Sequence, residues 1–590
     1  MTFTERSLTP GMVCLAQRWI MLTTKSVLVV GCLGILVACG GGGSSGAAPT
    51  PNTAPAAAVS GQITFDLVPL TTNPVRLDYN ATQASPVRGV TVQLIDVLSG
   101  VDVLGNTVTD ANGGYTIVGP TDTQVFLRVR AEMLQAGAPG WDIRVVDNTN
   151  NNALYVVDSR PFDTGIMDTV QNFHAASGWT GASYGEPRAA APLAILDAIY
   201  DAVQLVLTAD PTVSFPPLVM NWSPNNSTSL GANGKPDLAT GDIGGAFFRP
   251  SASGEIFLTG RENDSTDEYD RGLILHEWVH YFQRAFSRDD TLGGTHSRGD
   301  QLDMRSAFSE GLASGVAGII LTDGVYRDTF GIRQQSGFSI KMEGENGSNR
   351  GWYSEESVQE IIYDLFDADV DSAVDTLALG FAPLYRVLTN QVRTSMAVTS
   401  IFPFIDALKG DLPGSAALID DLVSAQSIAV IADEYGSRRE NSGNPASGDV
   451  MPLYANLTVN GGPVNLCSTD DFSSPTTGST NKLGSRRFLK FAVATAGEHT
   501  LSATTTVAPT GKRADPVMVL HQRKPLSLFQ NKPDLSCTPL LLGNCKEVAA
   551  VTLSVGDWLL EVYESTNTNA GDDHASPPIG RTCFDVEVTR

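Results

Sequence analysis

Two histidines four residues apart, His276 and His280, flank Glu277 and Trp278 within a mostly apolar stretch of the sequence. Residues four apart lie one above the other on the same face of an α-helix, so both imidazoles can bind one metal ion. Glu277 comes next on that face, where its carboxylate can accept a proton from a metal-bound water. The chain has only 7 histidines in 590 residues, so chance is a poor explanation of the pattern. A buried helix with two hydrogen-bonded histidines is the alternative interpretation.

The spacing is typical of zinc sites, and a catalytic zinc ion takes three protein ligands and keeps one position open. Phe286 stands where a metzincin would supply a third histidine, which excludes that class. Glu310 is the best third ligand, because small residues beside it let two helices approach closely. These small residues are Ala307, Gly311, Ser314 and Gly318. The alternative is an ordinary exposed glutamate. Competing ligands in the Gly/Ser/Asp-rich loop between are Asp289, Asp290, His296 and Asp300.

Two helices must position these side chains. We expect Ser265 and Glu268 to form a capping box at the start of the histidine helix, with further negative charge from Asp267 and Asp270 in its first turn. Asp303 is expected to cap the Glu310 helix. The residues that share the side away from the histidines should face the core. They are Leu275, Trp278, Val279, Phe282 and Phe286.

At these residues the sequence resembles the gluzincin metallopeptidases, in which a Glu-bearing helix follows the His-Glu-x-x-His helix. The resemblance implies that His276, His280 and Glu310 bind zinc and that Glu277 is the general base. Residues 267–315 also resemble bacterial lipoproteins with a peptidase domain, including their Ala-Phe-x-Glu-Gly signature. Ser314 departs from this pattern, since thermolysin-like members often carry an acidic residue there.

The resemblance extends to the substrate cleft. Residues 254–260 are expected to form a strand at the edge of the cleft, where an extended peptide can pair with it. Gluzincins often use a tyrosine or histidine to hydrogen-bond the tetrahedral oxyanion. Tyr353, just before another expected helix, is the first candidate and His296 the second. The alternative for Tyr353 is a core or rim aromatic.

The N-terminus predicts export. Lys25 precedes a short apolar run, residues 27–38, that ends at Cys39. This arrangement resembles a bacterial lipobox, which implies a signal peptide over residues 1–38, a lipidated Cys39 and a Gly/Ser/Pro-rich tether over residues 39–58. Gly40 favours sorting to the outer membrane, periplasmic or surface-exposed, in a Gram-negative cell. A signal peptide without lipid is the alternative.

Charge and cysteine usage agree with export. The net charge of −25 argues against nucleic-acid binding. Four cysteines follow the signal and Cys39, and an oxidising compartment favours two disulfides. We expect the pairs Cys537–Cys545, which are close in sequence, and Cys467–Cys583, which would join the two ends of the C-terminal region.

The length favours several domains. Residues 59–135 resemble a carboxypeptidase-regulatory or Cna-B-like β-sandwich, residues 140–440 fit an α+β zincin-like metallopeptidase domain, and 436–450 is a Gly/Ser/Pro-rich linker. Residues 451–590 resemble the pre-peptidase C-terminal β-sandwich, with His499 and His521 expected to face solvent. The sequence therefore predicts a lipid-anchored zinc peptidase acting on peptides or proteins. The alternative is an anchored adhesion or scaffold protein whose peptidase domain is silent.

Overall fold

The computed structural model describes residues 56–344, 349–368, 375–436, 453–474, 477–510, 514–524, 527–531, 538–540, 544–568 and 578–590. The predicted signal peptide, the lipidation site Cys39 and nearly all of the predicted linker lie outside these residues. The side chains of Cys537 and Cys545 also lie outside the described part of the chain, and so does their predicted disulfide.

The N-terminal part is built from β-strands that form two five-stranded sheets. The strands up to residue 175 are β1 (Ala56–Leu67), β2 (Gln83–Pro86), β3 (Thr91–Asp96), β4 (Val103–Val108), β5 (Gly114–Pro120), β6 (Gln124–Arg130), β7 (Glu132–Gln135), β8 (Trp141–Asp147), β9 (Ala153–Leu154), β10 (Val156–Asp158), β11 (Phe162–Asp163), β12 (Thr169–Val170) and β13 (Phe173–Ala175). β1 pairs with β2, β5, β12 and β13 in one sheet, while β6 pairs with β3, β10 and β11 in the other.

These two sheets use strands from both sides of the predicted domain boundary at residues 135–140. β10 pairs with β6, and β13 runs parallel to β1. β7 and β8 leave for a third sheet in between. A division of the chain at 135–140 therefore separates strands that pair with each other.

The central part combines this third sheet with helices. Its elements are α1 (Ala191–Ala209), β14 (Leu218–Trp222), β15 (Phe247–Arg249), β16 (Glu255–Leu258), α2 (Arg271–Phe286), α3 (Met304–Ile320), β17 (Val325–Phe330), β18 (Ser336–Lys341), α4 (Glu355–Asp364), α5 (Phe381–Val387), α6 (Ile401–Asp411) and α7 (Ala416–Ala425). By length and composition α1 could cross a membrane, but 67 % of its apolar window is buried in the protein, as in a core helix. One hydrophobic core joins the N-terminal sheets, the third sheet and the helices.

The edge of the third sheet is not the strand that the sequence indicated. The strand order is β15-β16-β14-β8-β7, so β16 lies between β14 and β15. β14 and β16 are parallel, whereas β15 is antiparallel to β16 and forms the edge. The strand expected at residues 254–260 is present as β16, but its expected position at the edge is wrong, because the short strand β15 pairs with it on the outer side.

The C-terminal part is a β-sandwich with its own core. Its strands are β19 (Tyr454–Asn456), β20 (Val464–Ser468), β21 (Arg486–Val493), β22 (Gly497–Val507), β23 (Pro516–Lys524), β24 (Ser527–Asn531), β25 (Thr538–Leu540), β26 (Asn544–Leu553), β27 (Gly556–Glu564) and β28 (Thr582–Thr589). They form two five-stranded sheets, β19-β21-β27-β23-β24 and β20-β28-β22-β26-β25.

Two predictions for this sandwich can be compared with the structure. The disulfide Cys467–Cys583 is confirmed and joins directly paired residues of β20 and β28. The expectation that His499 and His521 face solvent is wrong, since they are 2 % and 4 % exposed. His521 can be buried because it has a polar partner inside the protein: its Nε2 lies 3.0 Å from the carboxylate of Glu561.

Candidate metal centre

The start of α2 differs from the predicted capping box. The helix begins after Asp270, whose side chain makes no capping bond and accepts instead from Thr329. The hydroxyl of Ser265 donates to Asp267 at 2.9 Å, and Glu268 forms a buried ion pair. The polar side chains that the sequence assigned to a capping box therefore bond to other partners in the folded protein.

The other helix features are confirmed. Four residues of the predicted apolar stripe, Leu275, Trp278, Val279 and Phe282, are fully buried, and Phe286 is partly buried. Asp303 caps α3, accepting from the backbone N–H of Arg305 at 3.0 Å. α2 thus buries one side in the core and turns its histidines toward α3.

Three side-chain atoms meet between α2 and α3. Nε2 of His276 and Nε2 of His280 lie 3.2 Å apart, and each lies 3.3 Å from Oε2 of Glu310. An imidazole nitrogen has one proton or one lone pair in the ring plane, so these three contacts cannot all be hydrogen bonds at once. A single cation between the three atoms satisfies all of them together.

The dimensions of this triangle fit zinc. A tetrahedral zinc ion with bonds of about 2.0–2.1 Å has neighbouring ligand atoms about 3.3–3.4 Å apart. The side chains of His276, His280 and Glu310 are 19 %, 13 % and 12 % exposed, so a solvent molecule or a substrate can reach the triangle. Two imidazoles and one carboxylate form a donor set of the kind found in catalytic zinc sites.

Electrostatics also favour a cation here. Burial opposes charge on His280, but the carboxylate of Glu310 outweighs it and raises the pKa of the imidazole to about 9. Burial likewise opposes ionisation of Glu310, and the nearby histidines nonetheless hold its pKa well below the usual range. Glu310 is therefore ionised and ready to bind a positive charge.

Two serines of α3 contact the Nδ1 atoms of the two histidines. Nδ1 of His276 lies 3.2 Å from the hydroxyl of Ser314, and Nδ1 of His280 lies 3.3 Å from that of Ser309. Ser309 donates its own proton to Gln283 at 2.9 Å, so its oxygen accepts from His280. In the neutral imidazole that binds a metal, this bond keeps the proton of His280 on Nδ1 and leaves the lone pair of Nε2 for the ion. Ser314 stands where the resembled family often has an acidic residue, and its hydroxyl is the partner of His276.

Two of the small residues of α3, Gly311 and Gly315, pack against α4, a helix that the sequence did not indicate as their neighbour. A methyl group on Gly311 would lie 2.5 Å from Cβ of Val358 and 2.6 Å from the carbonyl oxygen of Glu355. Gly315 meets α4 in the same way, one turn further on. Gly311 and Gly315 thus bring α4 against α3, while Ser314 of the same set of small residues contacts His276 of α2. This close packing places Glu355, the first residue of α4, beside the metal-binding triangle.

His296, from the loop between α2 and α3, joins the cluster. Its Nε2 lies 3.5 Å from Oε2 of Glu310 and 3.3 Å from Oε2 of Glu355, while Nδ1 donates to the carbonyl of Gly294. Burial opposes its charge, but the two carboxylates raise its pKa. Burial raises the pKa of Glu355 to about 7. Sequence reasoning missed Glu355, because it looks like an ordinary acidic residue in the first turn of a capped helix.

The other candidates have partners outside the triangle, although the charge of Asp289 still contributes to the raised pKa of His280. Tyr353 is buried and its hydroxyl donates to the carbonyl of Arg350 at 3.3 Å. Among the described residues it makes no hydrogen bond with the triangle. The acidic residues of the loop have other partners: Asp289 accepts from Thr291, Asp290 pairs with Arg288, and Asp300 accepts from Thr477.

Tyr326 of β17 is a neighbour that the sequence did not indicate. Its ring lies edge-on to the ring of His276, with the centroids 6.5 Å apart. Burial, then the carboxylates of Asp328 and Glu277, raise the pKa of its hydroxyl well above the usual value. Tyr326 therefore stays a neutral phenol beside the site.

Comparisons with known proteins give little. No family model matches the chain, and no curated protein matches it. Among solved structures, the pre-peptidase C-terminal domain of a collagenase from Bacillus anthracis matches with 12 % identity and a TM-score of 0.14, covering 23 % of this chain and 93 % of that one. A 9R-lipoxygenase from Cyanothece PCC8801 matches with 15 % identity and a TM-score of 0.13, covering 25 % of this chain and 20 % of that one. Both likenesses are too weak to assign a function.

Proposed function

We propose that this protein is a zinc-dependent peptidase of the gluzincin type, with a zincin-like catalytic domain within residues 140–440. The observation that carries the proposal is the triangle of His276, His280 and Glu310, whose sides of 3.2–3.3 Å match the spacing of ligands around tetrahedral zinc. We further propose that a lipid on Cys39 anchors the protein in the cell envelope. Mass spectrometry that finds an unlipidated mature N-terminus would contradict the anchor.

Glu277 is the proposed general base. A bound zinc ion would polarise the scissile carbonyl and lower the pKa of a bound water. Among the described residues, no hydrogen bond or ion pair involves the carboxylate of Glu277, so it is available to accept a proton. Its negative charge contributes to the raised pKa of His280, as expected for a carboxylate beside the triangle. Glu277 would then pass the proton to the leaving amine.

His296 is the proposed donor to the substrate. Its imidazole, whose pKa the carboxylates of Glu310 and Glu355 raise against the effect of burial, lies next to the metal-binding triangle and is 27 % exposed. A positive hydrogen-bond donor at this position would stabilise the negative oxygen that develops on the scissile carbonyl. Within the described part of the chain, the Tyr353 hydroxyl bonds to Arg350 and makes no hydrogen bond with the triangle, so His296 replaces it as the first candidate.

The edge strand β15 is the proposed platform for the substrate. It forms the open side of the third sheet and contacts the helix that carries the histidines. An extended peptide can add to such an edge through main-chain hydrogen bonds. This mode of binding favours internal cleavage of peptides or proteins.

Two substitutions that fail in different ways test the proposal. Glu277→Gln should keep about one zinc per chain and lower peptide cleavage at least about 100-fold, because only the proton acceptor is removed. Glu310→Ala should lose both zinc and cleavage, because two imidazoles alone bind the ion weakly. Elemental analysis and a fluorogenic peptide library measure the two effects. Glu186→Gln, an exposed residue, is the matched control.

Each result has a definite meaning. If Glu310→Ala kept full zinc and activity, the assignment of the third ligand would be wrong. If the folded wild-type protein bound no zinc and cleaved no peptide, the silent scaffold protein would be the better interpretation.

A further inference from the structure

The loop that carries His296 has little structure of its own. No helix or strand forms between the end of α2 at Phe286 and the start of α3 at Met304. Three of its glycines, Gly293, Gly294 and Gly299, have φ values of 61°, 93° and 83°, a region that side chains rarely adopt. Such a segment holds a side chain in one place only if other parts of the protein fix it.

A segment of the C-terminal sandwich, residues 477–483, provides this support. The amide of Asn481 donates to the carbonyls of Gly293 and Gly294, both at 3.0 Å. The ammonium of Lys482 donates to the carbonyl of Thr295 at 3.2 Å. These three carbonyls immediately precede His296, and the carbonyl of Gly294 also accepts from its ring.

The same segment is fixed to the far end of the loop. Thr477 donates to the carboxylate of Asp300 at 2.8 Å. The backbone N–H groups of Asp303 and Leu483 donate to the carbonyls of Asn481 and Gln301, respectively, both at 2.9 Å. Asn481 and Lys482 are 2 % and 1 % exposed, so water cannot replace these bonds without opening the contact.

A second contact joins the sandwich to the first turn of α3. Glu561 of β27 pairs with Arg305 through two contacts of 3.2 Å, and also with Arg486 and His521. Arg305 is 3 % exposed and also binds Asp303, the cap of α3. The sandwich therefore holds both the loop with His296 and the start of the helix with Glu310.

We propose that Asn481 and Lys482 are positioning residues, through which the C-terminal sandwich holds His296 against the substrate site. The sandwich is then a working part of the catalytic centre and not a removable extension. This inference rests on the proposed peptidase function and on the role of His296 in it. It predicts that loosening the contact impairs turnover while the zinc ligands stay in place.

Asn481→Ala is the direct test. It should lower kcat by about 10-fold or more, since small misplacements of a catalytic group are costly. Zinc content should stay unchanged, and KM should change much less than kcat. The matched control is Asn465→Ala, for which wild-type kcat is expected. Among the described residues the side chain of Asn465 bonds only within the sandwich, to Thr506, Phe584 and Asp585.

A double substitution separates positioning from general stability. If Asn481 acts through His296, then Asn481→Ala should have no further effect on kcat in a His296→Ala protein. A purely structural role would lower kcat in both backgrounds. Thr477→Val removes a single hydrogen bond, so it should lower kcat less than Asn481→Ala does, and again only when His296 is present. This second variant keeps the test available if the Asn481→Ala protein does not fold.

The possible failures are distinguishable. If the wild-type enzyme is active and kcat is unchanged in both Asn481→Ala and Thr477→Val, this inference is wrong and the proposed function is unaffected. A folded wild-type protein without zinc or cleavage would overturn the proposed function itself.

Discussion

At the residue scale, the site depends on hydroxyl groups behind the histidines. Ser314 and Ser309 contact the Nδ1 atoms of His276 and His280, at 3.2 Å and 3.3 Å. Such partners orient an imidazole and fix its proton, and their loss typically weakens metal binding about 10- to 100-fold. A neutral hydroxyl orients the ring without adding charge, so Glu310 alone supplies the negative charge of the ligand set.

Ser314→Ala is therefore expected to weaken zinc binding about 10-fold, because His276 loses the partner that orients its ring. Competition with a chromophoric chelator measures the dissociation constant. Ser306→Ala is the matched control, since Ser306 lies buried on the same helix and its hydroxyl has no partner among the described residues. Equal zinc affinities for Ser314→Ala and the wild type would show that the contact does not support the ligand.

At the element scale, the distance between α3 and α4 sets the position of Glu355. Gly311 and Gly315 let the two helices approach so closely that an added methyl group would overlap α4. Overpacking of this kind typically costs about 1–3 kcal/mol, and the neighbouring element must move. Glu355 would move with α4 and lose its contact with His296.

Gly311→Ala should therefore lower the free energy of unfolding by about 1–3 kcal/mol and lower kcat as well. Gly410→Ala is the control, because Gly410 lies in α6 with nothing within 4 Å of an added methyl group. Alanine there should leave stability unchanged or raise it by up to about 1 kcal/mol, since it favours the helix more than glycine does. Chemical denaturation and peptide cleavage check both. A Gly311→Ala protein as stable and active as Gly410→Ala would contradict the packing argument.

At the scale of the whole molecule, the N-terminal sheets and the central helices share one core. Arg88, before β3, pairs with Asp197 at 2.6 Å and Asp201 at 2.7 Å, and both carboxylates belong to α1. Arg271 at the start of α2 binds the same two carboxylates. The N-terminal sheets thus connect through α1 to the helix that carries the histidines.

A chain without residues 56–135 should consequently fail to fold, because β10 and β13 lose their partner strands and the shared core is opened to water. A chain that begins at Ala54 is the control and should keep the melting temperature of a soluble Cys39→Ser protein that begins at residue 39. Circular dichroism and size-exclusion chromatography measure the outcome. A folded, zinc-binding protein from the shorter chain would instead mark the N-terminal sheets as a removable pro-segment.

The sequence by itself determined the features that depend on neighbouring residues. Helical spacing placed His276 and His280 on one face, and Asp303 marked the start of α3, as the structure confirms. The apolar stripe of α2 followed from the same periodicity.

Only the tertiary structure decided what depends on distant contacts. Strand pairing across residues 135–140, the edge position of β15 and the burial of His521 each require a partner far away in sequence. The capping box failed for the same reason, since Glu268 has a stronger distant partner. Glu355 and Asn481 reach the loop and side chain of His296 only after α4 and the C-terminal sandwich have packed, and no local pattern records which elements will pack together.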